Sequence, residues 1–226
     1  MTAVDRPRWW QVALYRFFRA LILGVAKVFG RIKIIGRSNI PRDRPFILAP
    51  VHRSNIDFAL ASLVTPRRMR YMGKDSIWKF KPLNPLFNAL GAFPVHRGAA
   101  DREALRTSIT VIESGQPLVM FPEGTRQSGP VVQELFDGTA YVAAKTGVPI
   151  VPVGIGGSEA AMPKGSKFIH PTKLVLIVGQ PLEPPAPRES GGTSRRAVKE
   201  LTEQLHGELQ KLFDEAETRA GRRRPN

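Results

Sequence analysis

Short apolar runs of strand length recur along this chain, and segments of helical periodicity separate most of them. Phe46 to Ala49 breaks at Pro50 and is followed by Phe58, Ala59, Leu60, Leu63 and Val64 at helical spacing. Arg31 to Ile35, Met69 to Met72, Gly91 to Val95, Pro117 to Phe121, Gly147 to Val153 and Lys173 to Val178 read as further strands. Between them, Asp101 to Glu113 is an amphipathic helix with Ala104, Leu105, Ile109 and Ile112 on one side, ending at Gly115. Strands that alternate with helices predict an α/β fold, a largely parallel mixed sheet flanked by helices. Such sheets bind ligands outside the carboxyl ends of their strands, so the residues that follow each run are the candidates for chemistry.

Three strand ends carry chemistry. His52 follows the second run, and Asp57 stands where the first turn of the next helix begins. A carboxylate there can fold back onto one imidazole nitrogen, fixing the tautomer and leaving the other nitrogen as a base. A structural histidine capped by a nearby Asp would have the same spacing, so the other motifs must decide. The chain has no cysteine, and no serine stands in a G-x-S-x-G context. A His–Asp pair without a protein nucleophile fits a base that activates a hydroxyl or water brought by the substrate. Arg97 ends the Gly91 run, and Glu123-Gly124-Thr125-Arg126 follows the Pro117 run. There, turn amides and an arginine can hold a phosphate, although a tight turn with a solvated arginine reads equally well.

Length and charge bound the partners. The 226 residues suffice for one main domain, and Lys and Arg number 34 against 19 Asp and Glu, a formal net charge of +15. Anionic partners follow: phospholipid head groups, phosphorylated substrates or nucleic acid. Against nucleic acid, the chain has no DNA or RNA motif, and its basic residues form no long helical stripe. His52, His96, His170 and His206 lack metal-ligand spacing, so no metal is expected.

Residues 1–30 are expected to form a separate element, an amphipathic membrane-interface helix. From Trp9 to Phe29 the chain is mostly apolar but carries Arg16, Arg19 and Lys27, which fall within an arc of about 80° on a helix. Two arginines inside a span would cost about 5–7 kcal/mol, which favours lying in the interface over crossing it. On this reading the basic face meets head groups; the alternative is a helix packed on its own domain. Residues 31–218 would be the main domain, with a linker over 184–192 and a helix from Arg195 to Glu217. A mobile basic tail would follow at 219–226.

Together, His52-Arg53-Ser54-Asn55-Ile56-Asp57, Gly91 to Arg97, Phe121-Pro122-Glu123-Gly124-Thr125-Arg126 and Val148 to Val153 resemble the four blocks of the glycerolipid acyltransferases, in particular the 1-acylglycerol-3-phosphate (lysophosphatidate) acyltransferases. The resemblance covers about residues 31 to 180 and departs from common family patterns at Val51 and His96. It implies catalysis by His52 and Asp57 and acceptor binding by Arg97, Glu123, Gly124, Thr125 and Arg126. An acyl thioester of coenzyme A or acyl carrier protein would serve as co-substrate, with no cofactor, and Val148 to Val153 would flank the acyl channel. The implied reaction is acylation of the sn-2 hydroxyl of lysophosphatidate to phosphatidate, on the cytoplasmic face of the cell membrane and in contact with anionic phospholipid. The alternatives are acylation of glycerol-3-phosphate at sn-1 or of another lysophospholipid, or a non-enzymatic basic protein that binds anionic lipid.

Overall fold

The computed structural model describes residues 7–74, 78–95, 102–185 and 194–222. Its strands are β1 (Lys33–Ile35), β2 (Ile47–Pro50), β3 (Arg70–Lys74), β4 (Ala92–Val95), β5 (Leu118–Val119), β6 (Ile150–Gly156) and β7 (Val175–Val178). They form one sheet in the order β1-β7-β6-β2-β5-β3-β4, in which every pairing is parallel except the antiparallel β6–β7. The carboxyl ends of β2, β3, β4, β5 and β6 therefore share one edge of the sheet. Strands β1 and β7 begin at that same edge. The mixed, largely parallel sheet expected from the alternating runs is present.

The helices are α1 (Trp9–Val28), α2 (Asp57–Ala61), α3 (Asn84–Ala89), α4 (Arg102–Glu113), α5 (Gly138–Thr146), α6 (Ser158–Ala161) and α7 (Arg195–Arg219). Right-handed crossovers decide their layers. The chain moves from β2 through α2 to β3 and through α3 to β4 in one direction, then returns through α4 to β5 and α5 to β6 in the other. That reversal puts α4 and α5, with α7 beside them, on one face; α1, α2 and α3 form the other layer. β2 lies between β6 and β5 and is buried throughout, from Phe46 to Val51. A strand covered on both faces must be apolar at every position, which explains why this run does not alternate.

Helix α7 packs along β6 through Leu205, Leu209, Leu212, Phe213 and Ala216. Two glycines permit the close approach. A Cβ on Gly154 would lie 2.3 Å from the Leu212 carbonyl oxygen, and one on Gly156 would lie 2.2 Å from that of Ala216. The helix extends to Arg219 and Ala220 is buried, so the basic segment expected from Arg219 starts inside the helix.

Helix α1 corrects one expectation. Arg19 does not face outward with Arg16 and Lys27. Its Nε donates to the carbonyl oxygens of Ser62 and Thr65, both at 3.0 Å, and its Nη2 to that of Leu63 at 3.3 Å. These carbonyls lie at and just beyond the end of α2, where unsatisfied oxygens attract a cation. Gln11, Tyr15 and Ala26 complete the packed side, and the Tyr15 hydroxyl accepts from the Met69 amide at 3.3 Å. The outward face is apolar, with Trp9 83%, Phe17 63% and Val28 73% exposed and Leu21, Val25 and Phe29 between and beside them.

Replacing Gly154 or Gly156 by alanine is predicted to push α7 off the sheet. Overpacking of this kind costs about 1–3 kcal/mol, and each kcal/mol lowers Tm by about 2–4 °C in a chain of this size. Thermal unfolding of each variant measures it; an unchanged Tm in both would show that the contact has slack.

Candidate active site

The site is assembled where β2 and β5 end. After Pro50 the chain keeps one more sheet contact, from the Val51 amide to the Val153 carbonyl at 3.1 Å, and then turns. Asp57 opens α2 and is completely buried. Its Oδ2 accepts from the Arg53 amide at 2.7 Å and the Ser54 amide at 2.6 Å, and lies 3.1 Å from His52 Nδ1. Two short backbone bonds fix the carboxylate, and the carboxylate fixes the imidazole. With Nδ1 facing a carboxylate, that nitrogen carries the proton and Nε2 is left as the basic nitrogen. The His52 ring stacks on Phe121 at 4.1 Å between centroids with 28° between planes, and its side chain is 18% exposed. Among the described residues nothing bonds Nε2.

A buried ion pair joins this turn to the one after β5. The Arg53 side chain is fully buried, and its Nη1 donates to Glu123 Oε1 at 2.8 Å and Oε2 at 2.9 Å. The rest of the guanidinium donates to the carbonyls of Gly129 at 3.2 Å, His52 at 3.1 Å and Val131 at 3.0 Å, and it lies 4.9 Å above the Phe213 ring. Glu123 in turn accepts from the His52 amide at 3.2 Å and the Gln133 amide at 3.0 Å. One carboxylate thus holds the histidine backbone, the arginine behind it and the far side of its own loop. The Gln127 amide closes the ring by donating to the His52 carbonyl at 2.9 Å.

Glu123 is buried by this network, with both oxygens accepting hydrogen bonds, whereas Gly124 and Thr125 are exposed and Arg126 is half-buried beside Gln127. Gly124 takes a left-handed φ of 70°, and a Cβ there would meet the Phe136 ring at 2.7 Å, so glycine is required on both counts. The structure therefore brings His52, Asp57, Glu123, Gly124, Thr125 and Arg126 to one edge. Arg97 lies outside the described residues. Arg53 and Phe121 were not singled out in the sequence; the signal for Arg53 was an arginine inside a motif otherwise folded into the core, opposite a carboxylate in a cationic chain.

The floor of the edge is tied down as well. Ser54 Oγ donates to the Met162 carbonyl at 2.8 Å, just beyond α6. At the end of α7, Glu217 accepts from the Gly157 amide at 2.8 Å. Burial raises the Glu217 carboxyl pKa, the Gly157 N–H opposes that rise, and neighbouring Glu159 adds to it.

A buried Asp–His pair thus ends one strand of a mixed α/β sheet, and an arginine-bearing turn ends the neighbouring strand. The family model described as Acyltransferase matches residues 31–156, more than half of the chain, and the chain belongs to that family. A Bacillus subtilis (strain 168) protein named 1-acyl-sn-glycerol-3-phosphate acyltransferase is 27% identical over 170 residues, covering 75% of this chain and 82% of that protein. A chloroplastic protein of the same name from Arabidopsis thaliana is 27% identical over 175 residues, covering 75% of this chain but 45% of its own length. The crystal structure of the 1-acyl-sn-glycerophosphate (LPA) acyltransferase PlsC from Thermotoga maritima superposes with a TM-score of 0.68 at 25% identity, over 89% of this chain and 78% of that one.

The Arg53–Glu123 pair supplies a stability test. Removing one partner from a buried pair costs about 3–5 kcal/mol, because the other charge is left uncompensated. Arg53→Met and Glu123→Leu should each lose that much in urea unfolding, and the double variant should lose clearly less than the sum. Additive losses would show that the two side chains do not act as a unit.

Proposed function

We propose that this enzyme transfers an acyl group from a thioester to the sn-2 hydroxyl of 1-acylglycerol-3-phosphate, giving phosphatidate. The observation that carries the chemistry is His52 with Nδ1 turned to buried Asp57 and Nε2 unengaged, in a chain with no cysteine. Nε2 accepts the proton of the acceptor hydroxyl as its oxygen attacks the thioester carbonyl. The imidazolium is stabilised by Asp57, and its proton passes to the departing thiolate. The new ester bond forms as the carbon–sulfur bond breaks, with no acylated side chain between. The thiol released is coenzyme A or acyl carrier protein.

Arg126, at the turn bonded to the His52 carbonyl through Gln127, holds the acceptor phosphate together with Arg97. Gly124 and Thr125 let that phosphate approach the backbone closely, and Glu123 acts through Arg53 and the His52 amide as a positioning residue. Anchoring the phosphate brings the hydroxyl to Nε2 in near-attack geometry. Of the Val148 to Val153 block, Ile150 to Val153 lie in β6, paired with β2 from Ile47 to Pro50, so Val153 comes nearest this edge.

The acceptor is a lipid, and the proposal places the enzyme on the cytoplasmic face of the cell membrane as a peripheral or monotopic protein. The apolar outward face of α1, bordered by Arg16 and Lys27, supports contact with an anionic surface. Among the described residues, no helix is long and apolar enough to cross a membrane.

Steady-state kinetics on lysophosphatidate test the roles together. His52→Ala should lower kcat by at least about a hundredfold, and Asp57→Asn should also impair turnover. Arg126→Ala should instead lower kcat/KM for the acceptor by about 1.5–3 kcal/mol, the worth of a charge-assisted contact. Near wild-type turnover by His52→Ala would remove the mechanism.

A further inference from the structure

The connection between β6 and β7 starts at the catalytic edge, passes through α6, and projects a short loop over residues 163–170 before returning to Leu174. Its base is fixed on both sides. The Ser54 hydroxyl donates to the Met162 carbonyl at 2.8 Å, and the His170 amide donates to the Ala161 carbonyl at 2.7 Å. Within the loop, the Ser166 amide donates to the Pro163 carbonyl at 3.0 Å, its hydroxyl donates to the Phe168 carbonyl at 2.8 Å, and the Phe168 amide donates back to that hydroxyl at 3.1 Å. The backbone of this projection therefore satisfies part of its own polarity.

At the far side of the turn, Phe168 is 76% exposed and Ile169 is 59% exposed, while Lys164, Lys167 and Lys173 around them are also exposed. The sequence holds no Asp or Glu between Glu159 and Glu183. Two unpacked apolar side chains ringed by lysines with no acid between them match an anionic bilayer: the apolar pair enters the acyl boundary and the ammonium groups stay at the head groups. The loop is also continuous with α1. Gly30, just past that helix, accepts from the Leu174 amide at 2.8 Å, and the Lys33 amide donates to the Leu174 carbonyl at 2.9 Å. The exposed Val28 and Phe29 thus immediately precede Gly30, where the chain bonds the segment into which the loop descends.

We propose that residues 163–170 form a second lipid-contacting element, which enters an anionic membrane interface beside α1 and sets the His52 edge against the bilayer. It rests on the reading of the enzyme as acting at a membrane but not on α1 being the anchor. Through the Ser54–Met162 bond, the same loop that meets lipid is fastened to the turn bearing His52, so the acceptor's hydroxyl and phosphate reach the site while its chain stays in the acyl layer.

Co-sedimentation of the full chain with phosphatidylcholine vesicles, with and without phosphatidylglycerol, tests this using three variants: Phe168→Ser/Ile169→Ser, Lys164→Gln/Lys167→Gln and, on α1, Phe17→Ser/Val28→Ser. The apolar loop variant should partition about tenfold or more weakly at little changed Tm, since both side chains it replaces are mostly exposed. The lysine variant should lose about fivefold or more on vesicles containing phosphatidylglycerol, and that loss should shrink at high salt. Parental partitioning by both loop variants overturns the proposal, and if the α1 variant alone falls, the membrane reading survives without it. Loss in the loop variants with none in the α1 variant supports the loop and removes α1 as the anchor. Failure of the parent chain to bind either vesicle sinks both, whereas unchanged vesicle binding by the loop variants with weakened use of an acyl carrier protein donor sinks the loop proposal alone and makes the loop a protein-docking surface.

Discussion

Glu123 is the group on which the two halves of the site depend. A carboxylate and a guanidinium removed completely from water carry a desolvation penalty that their mutual attraction repays only when every remaining donor and acceptor is satisfied. Here the requirement is met by backbone: the Gly129, Val131 and His52 carbonyls take the Arg53 donors, and the His52 and Gln133 amides serve Glu123. The geometry that makes the pair tolerable is the same geometry that fixes the histidine. Without that pair the His52 backbone would keep the Gln127 bond to its carbonyl but lose the Glu123 bond to its amide. With it, the backbone on both sides of the imidazole is bonded to the turn that carries Arg126.

Much of this was legible in the sequence, because strand periodicity and the H-x4-D spacing are local. Asp57 sits at the first turn of its helix, where folding back onto Arg53 and Ser54 takes only a short span of chain. What was not legible depends on partners far away in sequence. Arg53 and Glu123 are separated by 70 positions, and neither reveals its neighbour until β5 is inserted between β2 and β3. That insertion is a choice among crossovers, which no single segment encodes. Arg19 is a similar case: helical spacing grouped it with Arg16 and Lys27, but the carbonyls that turn it inward come from the end of α2 and just beyond, in a different part of the chain.

The inward turn of Arg19 changes what α1 is. Packing and exposure are not alternatives for this helix, since one side holds Gln11, Tyr15 and Ala26 against the domain while the other presents aromatic and aliphatic side chains to the outside. A helix held by its own domain transfers any lipid contact rigidly to the sheet, and hence to the edge where His52 lies. The His52 turn, α1 and the loop before β7 are linked through Ser54, Gly30 and Leu174 without any long flexible connection. Orientation on a surface and orientation of the histidine become one mechanical problem.

The central claim is that the acceptor oxygen attacks the thioester directly, with His52 as base and no acylated protein on the path. The most direct test is isotope exchange: labelled thiol carrier, free coenzyme A or carrier protein as turnover requires, is incubated with its unlabelled acyl thioester and the enzyme in the absence of acceptor. Direct attack predicts no label in the thioester until lysophosphatidate is added. Exchange at a rate comparable to turnover, with no acceptor present, would require a covalent acyl-enzyme and would contradict the account.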